Sequence, residues 1–125
     1  MTAHTLPKSE RLRSLGAVRR LFSDGRSGFV YPFRYMIFTE ESASPSVEVL
    51  FSVPKRYHKR ANKRNLLRRR TKEAYRLNKE AVTAVAIERG KALDMALVYS
   101  VKERVPYKTI ENAVRKILQE VGATL

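Results

Sequence analysis

Apolar positions along the chain fall into helix-spaced and strand-spaced stretches. Residues 1–13 hold a proline and mixed polar residues without a period, and are expected to form a flexible arm. Leu15, Val18, Leu21 and Phe22 then share one helical stripe, with Ser14 placed to cap it and Asp24-Gly25 to stop it. From Phe33 to Thr39 the spacing is two, with Phe33, Tyr35 and Ile37 on one side and Met36 and Phe38 on the other. Val47 to Val53 alternates in the same way until Pro54, so these are two strands, and Glu40 to Ser46 reads as a hairpin-type loop between them. From about Ala61 the period lengthens to that of a helix, whose buried stripe is Leu67, Thr71, Ala74 and Tyr75. Glu80 to Ile87 extends that helix or starts another, and Gly90 ends it. Leu93 to Ser100 is a third strand. Pro106 opens a last helix carrying Ile110, Val114, Ile117, Leu118 and Val121 on one face, and Gly122 closes it. A further short strand fits near Phe29 to Pro32. The order describes one small α/β sandwich of the α+β type, a single domain over 14–125 with helices packed on a central, mostly antiparallel sheet.

Charge changes the picture more than composition does. Between Lys55 and Lys72 stand ten basic residues (Lys55, Arg56, Lys59, Arg60, Lys63, Arg64, Arg68, Arg69, Arg70 and Lys72) and no acidic one. The helical period sets Asn65, Arg68, Arg69, Lys72 and Arg76 opposite the apolar stripe, so the helix is apolar inward and basic outward. A solvated surface helix interleaves Lys with Glu, which is absent here until Glu73, and the planar fork of arginine suits phosphate. With a net charge of +14 and a pI near 10.5, the chain calls for a polyanion, and nucleic acid leads. No apolar run reaches the roughly 20 residues of a membrane span, and MTAHTLPKSE has no signal-peptide core, so a cytoplasmic protein without a membrane or small-molecule partner is expected. The absence of cysteine removes disulfides and thiolate sites, and the 43% hydrophobic content suits a packed core.

Protein-based catalysis finds little support. The only aspartates are Asp24 and Asp94, which is poor material for a two-metal site, and the two histidines lie apart, His4 in the arm and His58 among the basic residues. His58 reads as one more polar contact. Gly25-Arg26-Ser27-Gly28 has the spacing of a backbone-clamping GXXG loop, yet it follows a helix and leads into a strand region, so a plain helix stop and turn is expected. Phe33, Tyr35, Phe38 and Phe51 are core candidates first and base-stacking platforms second. The residues leave open an RNA-binding protein that assists turnover, a structural or ribosomal RNA-binding protein, and a DNA-binding protein; the last lacks a second helix joined by a short turn.

The run Ala61-Asn62-Lys63-Arg64-Asn65-Leu66-Leu67-Arg68-Arg69-Arg70-Thr71-Lys72-Glu73-Ala74-Tyr75 resembles the protein subunit of bacterial ribonuclease P. Phe51-Ser52-Val53-Pro54-Lys55-Arg56 before it, and Arg11-Leu12-Arg13 followed by a helix to Phe22 and Asp24-Gly25, resemble the same family in the same order. Leu66, His58 and Val18 depart from it, standing where a basic, an apolar or Ser, and an aromatic residue are usual. The resemblance implies a sandwich with a left-handed βαβ crossover. It also implies a protein that binds a catalytic RNA and helps it remove the 5′ leader of precursor tRNA, with Mg²⁺ and the chemistry belonging to the RNA and no catalytic residue or cofactor in the protein. Carried over by position, Lys55, Arg56, Lys63, Arg64, Asn65, Arg69 and Arg70 would meet the catalytic RNA. Val18, Phe22, Phe33, Tyr35, Arg68 and Lys72 would line a cleft for the single-stranded leader.

Overall fold

The structure, a computed structural model, describes residues 8–125. Helix α1 (Leu15–Asp24) starts where the Ser14 hydroxyl accepts the Ala17 N–H at 3.3 Å, supplying one of the partners a first turn lacks. Gly25 stops it as expected, its N–H donating to the Leu21 carbonyl at 3.0 Å, but strand β1 (Arg26–Val30) begins at the next residue, so Arg26-Ser27-Gly28 is the entry to a strand rather than the expected turn. Gly28 fits there because a Cβ would come within 2.5 Å of the Tyr35 ring. β1 turns through Tyr31-Pro32 into β2 (Phe33–Glu41), followed by β3 (Ser46–Ser52), α2 (Ala61–Asn78), α3 (Glu80–Arg89), β4 (Lys91–Tyr99) and α4 (Tyr107–Thr124).

The sheet order is β1-β2-β4-β3, with β1/β2 and β2/β4 antiparallel and β3/β4 parallel. Consecutive strands β2 and β3 are therefore not neighbours, and the expected hairpin between them is instead a crossing over β4. β4 takes the middle because Leu93 to Leu97 is buried without interruption, as befits a strand covered on both faces.

The two faces are unequally covered. One carries Phe33, Ile37, Val49, Phe51, Leu93, Met95, Leu97 and Tyr99 against α2, α3 and α4, with Leu67, Tyr75, Ile110, Val114, Ile117, Leu118 and Val121 completing the main core. All four expected stripe residues of α2 are buried. α4 starts one residue after Pro106, and Gly122 does not close it: it lies inside the helix, where a Cβ would come 2.5 Å from the Ala81 carbonyl oxygen of α3. The other face carries α1 alone, over a small cluster of Leu12, Leu21 and Ala96 flanked by Val18, Met36, Phe38, Leu50 and Val98.

Residues 8–13, expected as part of a loose arm, are bound to the edge of the sheet, while residues 1–7 lie outside the described residues. A 3₁₀ turn at Lys8–Glu10 leads to Arg11, which bridges in parallel to Val49, and the Leu12 N–H donates to the Val49 carbonyl at 2.9 Å. Glu10 accepts from the buried Lys79 ammonium at 2.9 Å. The reason is a free edge: β3 has β4 on one side only, and Leu12 has an apolar site to fill.

Candidate nucleic-acid interface

Helix α2 presents a basic face because its apolar stripe is used up against β3 and α4. On that face Asn62, Asn65, Arg68, Arg69 and Lys72 line an open depression of about 530 Å³. Lys63, Asn65 and Arg69 are exposed, whereas Arg64 and Arg70 are half-buried. Arg68 is steadied by donating from Nη1 to the Asn65 side chain at 3.0 Å. Arg64 is turned back on the chain, with Nη1 donating to the carbonyls of His58 at 3.0 Å and Lys59 at 2.7 Å, so it fastens the start of α2. Lys72 is the perturbed member: burial first, then the charges of Arg11 and Arg68, hold its ammonium below the usual lysine range. Arg11, Arg68 and Lys72 meet over Leu12, Leu50 and Phe51 at the rim of β3, an arrangement that a phosphate would relieve. At the far end Arg76 donates to Glu73 at 2.6 Å, which ends the uncompensated run.

A second concavity, about 410 Å³, opens on the thinly covered face of the sheet beside the C-terminal end of α1. Its apolar walls are Phe22, Phe29, Met36 and Val98, with Arg34, Arg56, Tyr57 and Ser100 completing it. Phe22 and Phe29 are 47% and 55% exposed, so their rings are offered to solvent rather than spent on the core. The register aligns Phe29, Arg34 and Val98 in one row across three strands, with Ser27, Met36 and Ala96 in the next. The Arg56 guanidinium lies over the Tyr57 ring at 4.9 Å. Basic groups set among exposed aromatic faces are the general means by which proteins hold single-stranded nucleic acid. Among the described residues no group of three His, Asp or Glu side chains is placed to hold a metal ion, and no helix is long and apolar enough to cross a membrane.

A family model for ribonuclease P matches residues 6–122. The chain belongs to the ribonuclease P protein family. The ribonuclease P protein component of Porphyromonas gingivalis is 35% identical to it over 122 residues, covering 96% of this chain and 88% of its own length. Among solved structures, the RNase P protein from Thermotoga maritima has a TM-score of 0.69 at 22% identity, covering 89% of this chain and 96% of its own. The Staphylococcus aureus RNase P protein has a TM-score of 0.68 at 17% identity, covering 91% of this chain and 96% of its own. At these identities the two structures speak for the fold. The ribonuclease P family reading makes the chain a protein component of a ribonucleoprotein endoribonuclease.

The residues that the ribonuclease P resemblance assigned to one leader cleft do not lie together. Phe22 lines the cleft on the open face, and Val18, on the underside of α1, is half-buried on the same side. Phe33 is fully buried on the opposite face, edge-to-face with Tyr99 at 5.6 Å, so it cannot touch a bound strand. Tyr35 shares that opposite face and donates to Glu120 of α4 at 3.4 Å. The error is one of parity: successive strand residues face opposite ways, and the side turned to α1 is Arg34, Met36 and Phe38. Arg68 and Lys72 border the depression at the β3 rim instead; Leu50 of that rim and Met36 of the open-face cleft stand in one register row with Ala96 between them, so the two lie on the same face of the sheet without sharing a lining residue. Phe29, Arg34, Met36, Tyr57 and Val98 were missed. The signal that would have found them is the match of the Phe33 and Ile37 parity to the main core.

Two groups position this site without lining it. His58, expected as a polar contact, makes one inside the protein: it is 6% exposed, donates through Nε2 to the Val101 carbonyl at 2.9 Å, and sits edge-to-face on Tyr99 at 5.4 Å. That lock fixes the turn carrying Arg56 and Tyr57. Arg20 fastens α1, with Nη2 at 3.3 Å from Asp94 and 3.6 Å from Glu40 and its guanidinium 4.4 Å over Phe38. Burial raises the Asp94 carboxyl above the usual aspartate range, while Arg20 pulls it back. Glu48, paired in register with Asp94, is raised by burial and then by the Asp94 charge.

Proposed function

We propose that this protein binds the catalytic RNA of ribonuclease P through the basic face of α2 and holds the 5′ leader of precursor tRNA on the open face of its sheet, so that the RNA can hydrolyse the bond joining leader to mature tRNA. The observation that carries this reading is the presence of two unlike surfaces on one small domain. One is a helical array of cations with few acidic partners, suited to phosphates of a structured RNA. The other is a cleft with exposed phenylalanines, suited to unstacked bases. Lys63, Asn65 and Arg69 are the foremost contacts to the RNA, joined by Lys55 and Arg70, whereas Arg64 acts by holding the helix start. Phe22, Phe29, Arg34, Met36 and Arg56 take the leader, and Arg68 and Lys72 hold its backbone where it passes the rim of β3.

In this reading the protein supplies affinity and alignment, and the RNA supplies the reaction together with its Mg²⁺ ions. The protein's place of action is then that of the RNA, the cytoplasm. The test is reconstitution. Purified protein freed of RNA is added to a bacterial ribonuclease P RNA at low Mg²⁺, and release of the 5′ leader is followed. Leader release should need the RNA, be accelerated by the protein, and be absent with protein alone. Cleavage by the RNA-free protein, or no acceleration, would contradict the proposal.

A further inference from the structure

We infer that Arg34 reads the identity of one base in the strand held on the open sheet face, and that the base it selects is guanine. The inference rests on the leader-binding reading above and adds a specificity to it. Arg34 lies in β2 with Phe29 opposite it on β1 and Val98 opposite it on β4. It is exposed, and among the described residues its guanidinium has neither a hydrogen-bond nor an ion-pair partner. The neighbouring cations are differently placed: Arg20 is held by Asp94 and Glu40, and Arg56 is stacked on Tyr57. Arg34 thus stands uncompensated on the floor of a concavity whose walls are Phe22, Phe29, Met36 and Val98.

That surrounding decides what the arginine can do. A base stacked on Phe22 or Phe29 brings its edge, rather than its phosphate, toward the floor. The guanidinium meets that edge with a planar fork of N–H donors and accepts nothing. Guanine answers the fork with two adjacent acceptors, O6 and N7, whereas adenine sets its amino donor beside N7 and opposes donor to donor. Uracil flanks each carbonyl with the N3–H donor. Cytosine offers N3 and O2 together, but a pyrimidine covers less of a phenylalanine ring than a purine does. Guanine therefore ranks first and cytosine second.

The experiment measures binding of precursor tRNAs that differ in one leader nucleotide at a time, with mature tRNA beside them, to the complex of this protein with a ribonuclease P RNA. At one leader position guanine should bind roughly 5- to 150-fold more tightly than adenine. Arg34→Ala should bring the four bases at that position to near equality and leave the melting temperature unchanged, since the side chain is exposed. Arg34→Gln should turn the preference toward adenine, whose N6 and N7 match an amide. An equal loss for all four bases would make Arg34 a phosphate contact and overturn the inference. So would a wild-type complex that favours precursor over mature tRNA yet prefers guanine at no position. Equal binding of precursor and mature tRNA would instead remove the leader reading, and this inference with it.

Discussion

Phe33 and Phe22 are both phenylalanines of the family-implied cleft, and the structure gives them opposite fates. Phe33, with no exposed surface, packs on Tyr99 in the main core. Its replacement by Ala should lower stability by about 3 to 5 kcal/mol, read from denaturant or thermal unfolding, because removing a fully buried ring leaves a cavity in the core. Phe22, about half exposed, should tolerate Ala with a small change in melting temperature. Sequence periodicity carried part of this distinction. It separated Phe33, Tyr35 and Ile37 from Met36 and Phe38, but a strand's alternation names two faces without saying which one the main core takes. That choice depends on α4 and β4, far along the chain. His58 was legible as a polar contact but not by its partner, for a related reason: the Val101 carbonyl lies 43 residues away, and no local pattern announces it.

At the scale of elements, α1 is the weakly attached one. It packs through a cluster with three buried residues, Leu12, its own Leu21 and Ala96, and is fastened by Arg20 to Asp94 and Glu40. Asp94 and Glu48 both have carboxyl pKa values raised in the folded state. A group raised in this way favours folding in acid and loses that contribution as pH rises through its folded pKa. Arg20 offsets the cost of the Asp94 charge, so Arg20→Ala should destabilise most near neutral pH, by about 1 to 3 kcal/mol for the stranded carboxylate. The deficit should shrink toward about pH 4, where carboxyls take up protons. Unfolding at several pH values checks this, and a deficit independent of pH would count against the clamp. Helix α2 was legible in advance because its 3.6-residue period needs no knowledge of the partner: Leu67, Thr71, Ala74 and Tyr75 fall inward whatever they meet. On its outer face Arg69→Ala should weaken RNA binding equally for every leader sequence, since a phosphate contact reads no base. A loss that varied with leader sequence would place Arg69 at the leader instead.

The whole molecule joins a strongly cationic helix to a sheet that is covered on one face and half bare on the other. Binding of the catalytic RNA should weaken steeply with salt. Neutralising about five to eight phosphates predicts a slope of roughly −4 to −7 in log K against log salt. A slope shallower than about −2 would mean that the basic run is not the interface. The class of fold and the existence of its main elements were legible from periodicity and turn residues. The strand order was not, because pairing β3 with β4 rather than with β2 is fixed by the α2–α3 crossover and by the burial of β4 on both faces. With the order unknown, the bare face could not be located, and neither could Phe29, Arg34 and Val98 upon it. The most direct test of that bare face as the leader site is the ratio of precursor to mature tRNA affinity for the protein–RNA complex, compared between wild type and Phe22→Ala. The account predicts that Phe22→Ala lowers precursor affinity about 5- to 150-fold, as expected for one lost stack, and leaves mature tRNA affinity and the melting temperature nearly unchanged. Equal losses for the two tRNAs, or an unchanged ratio in a folded variant, would contradict it.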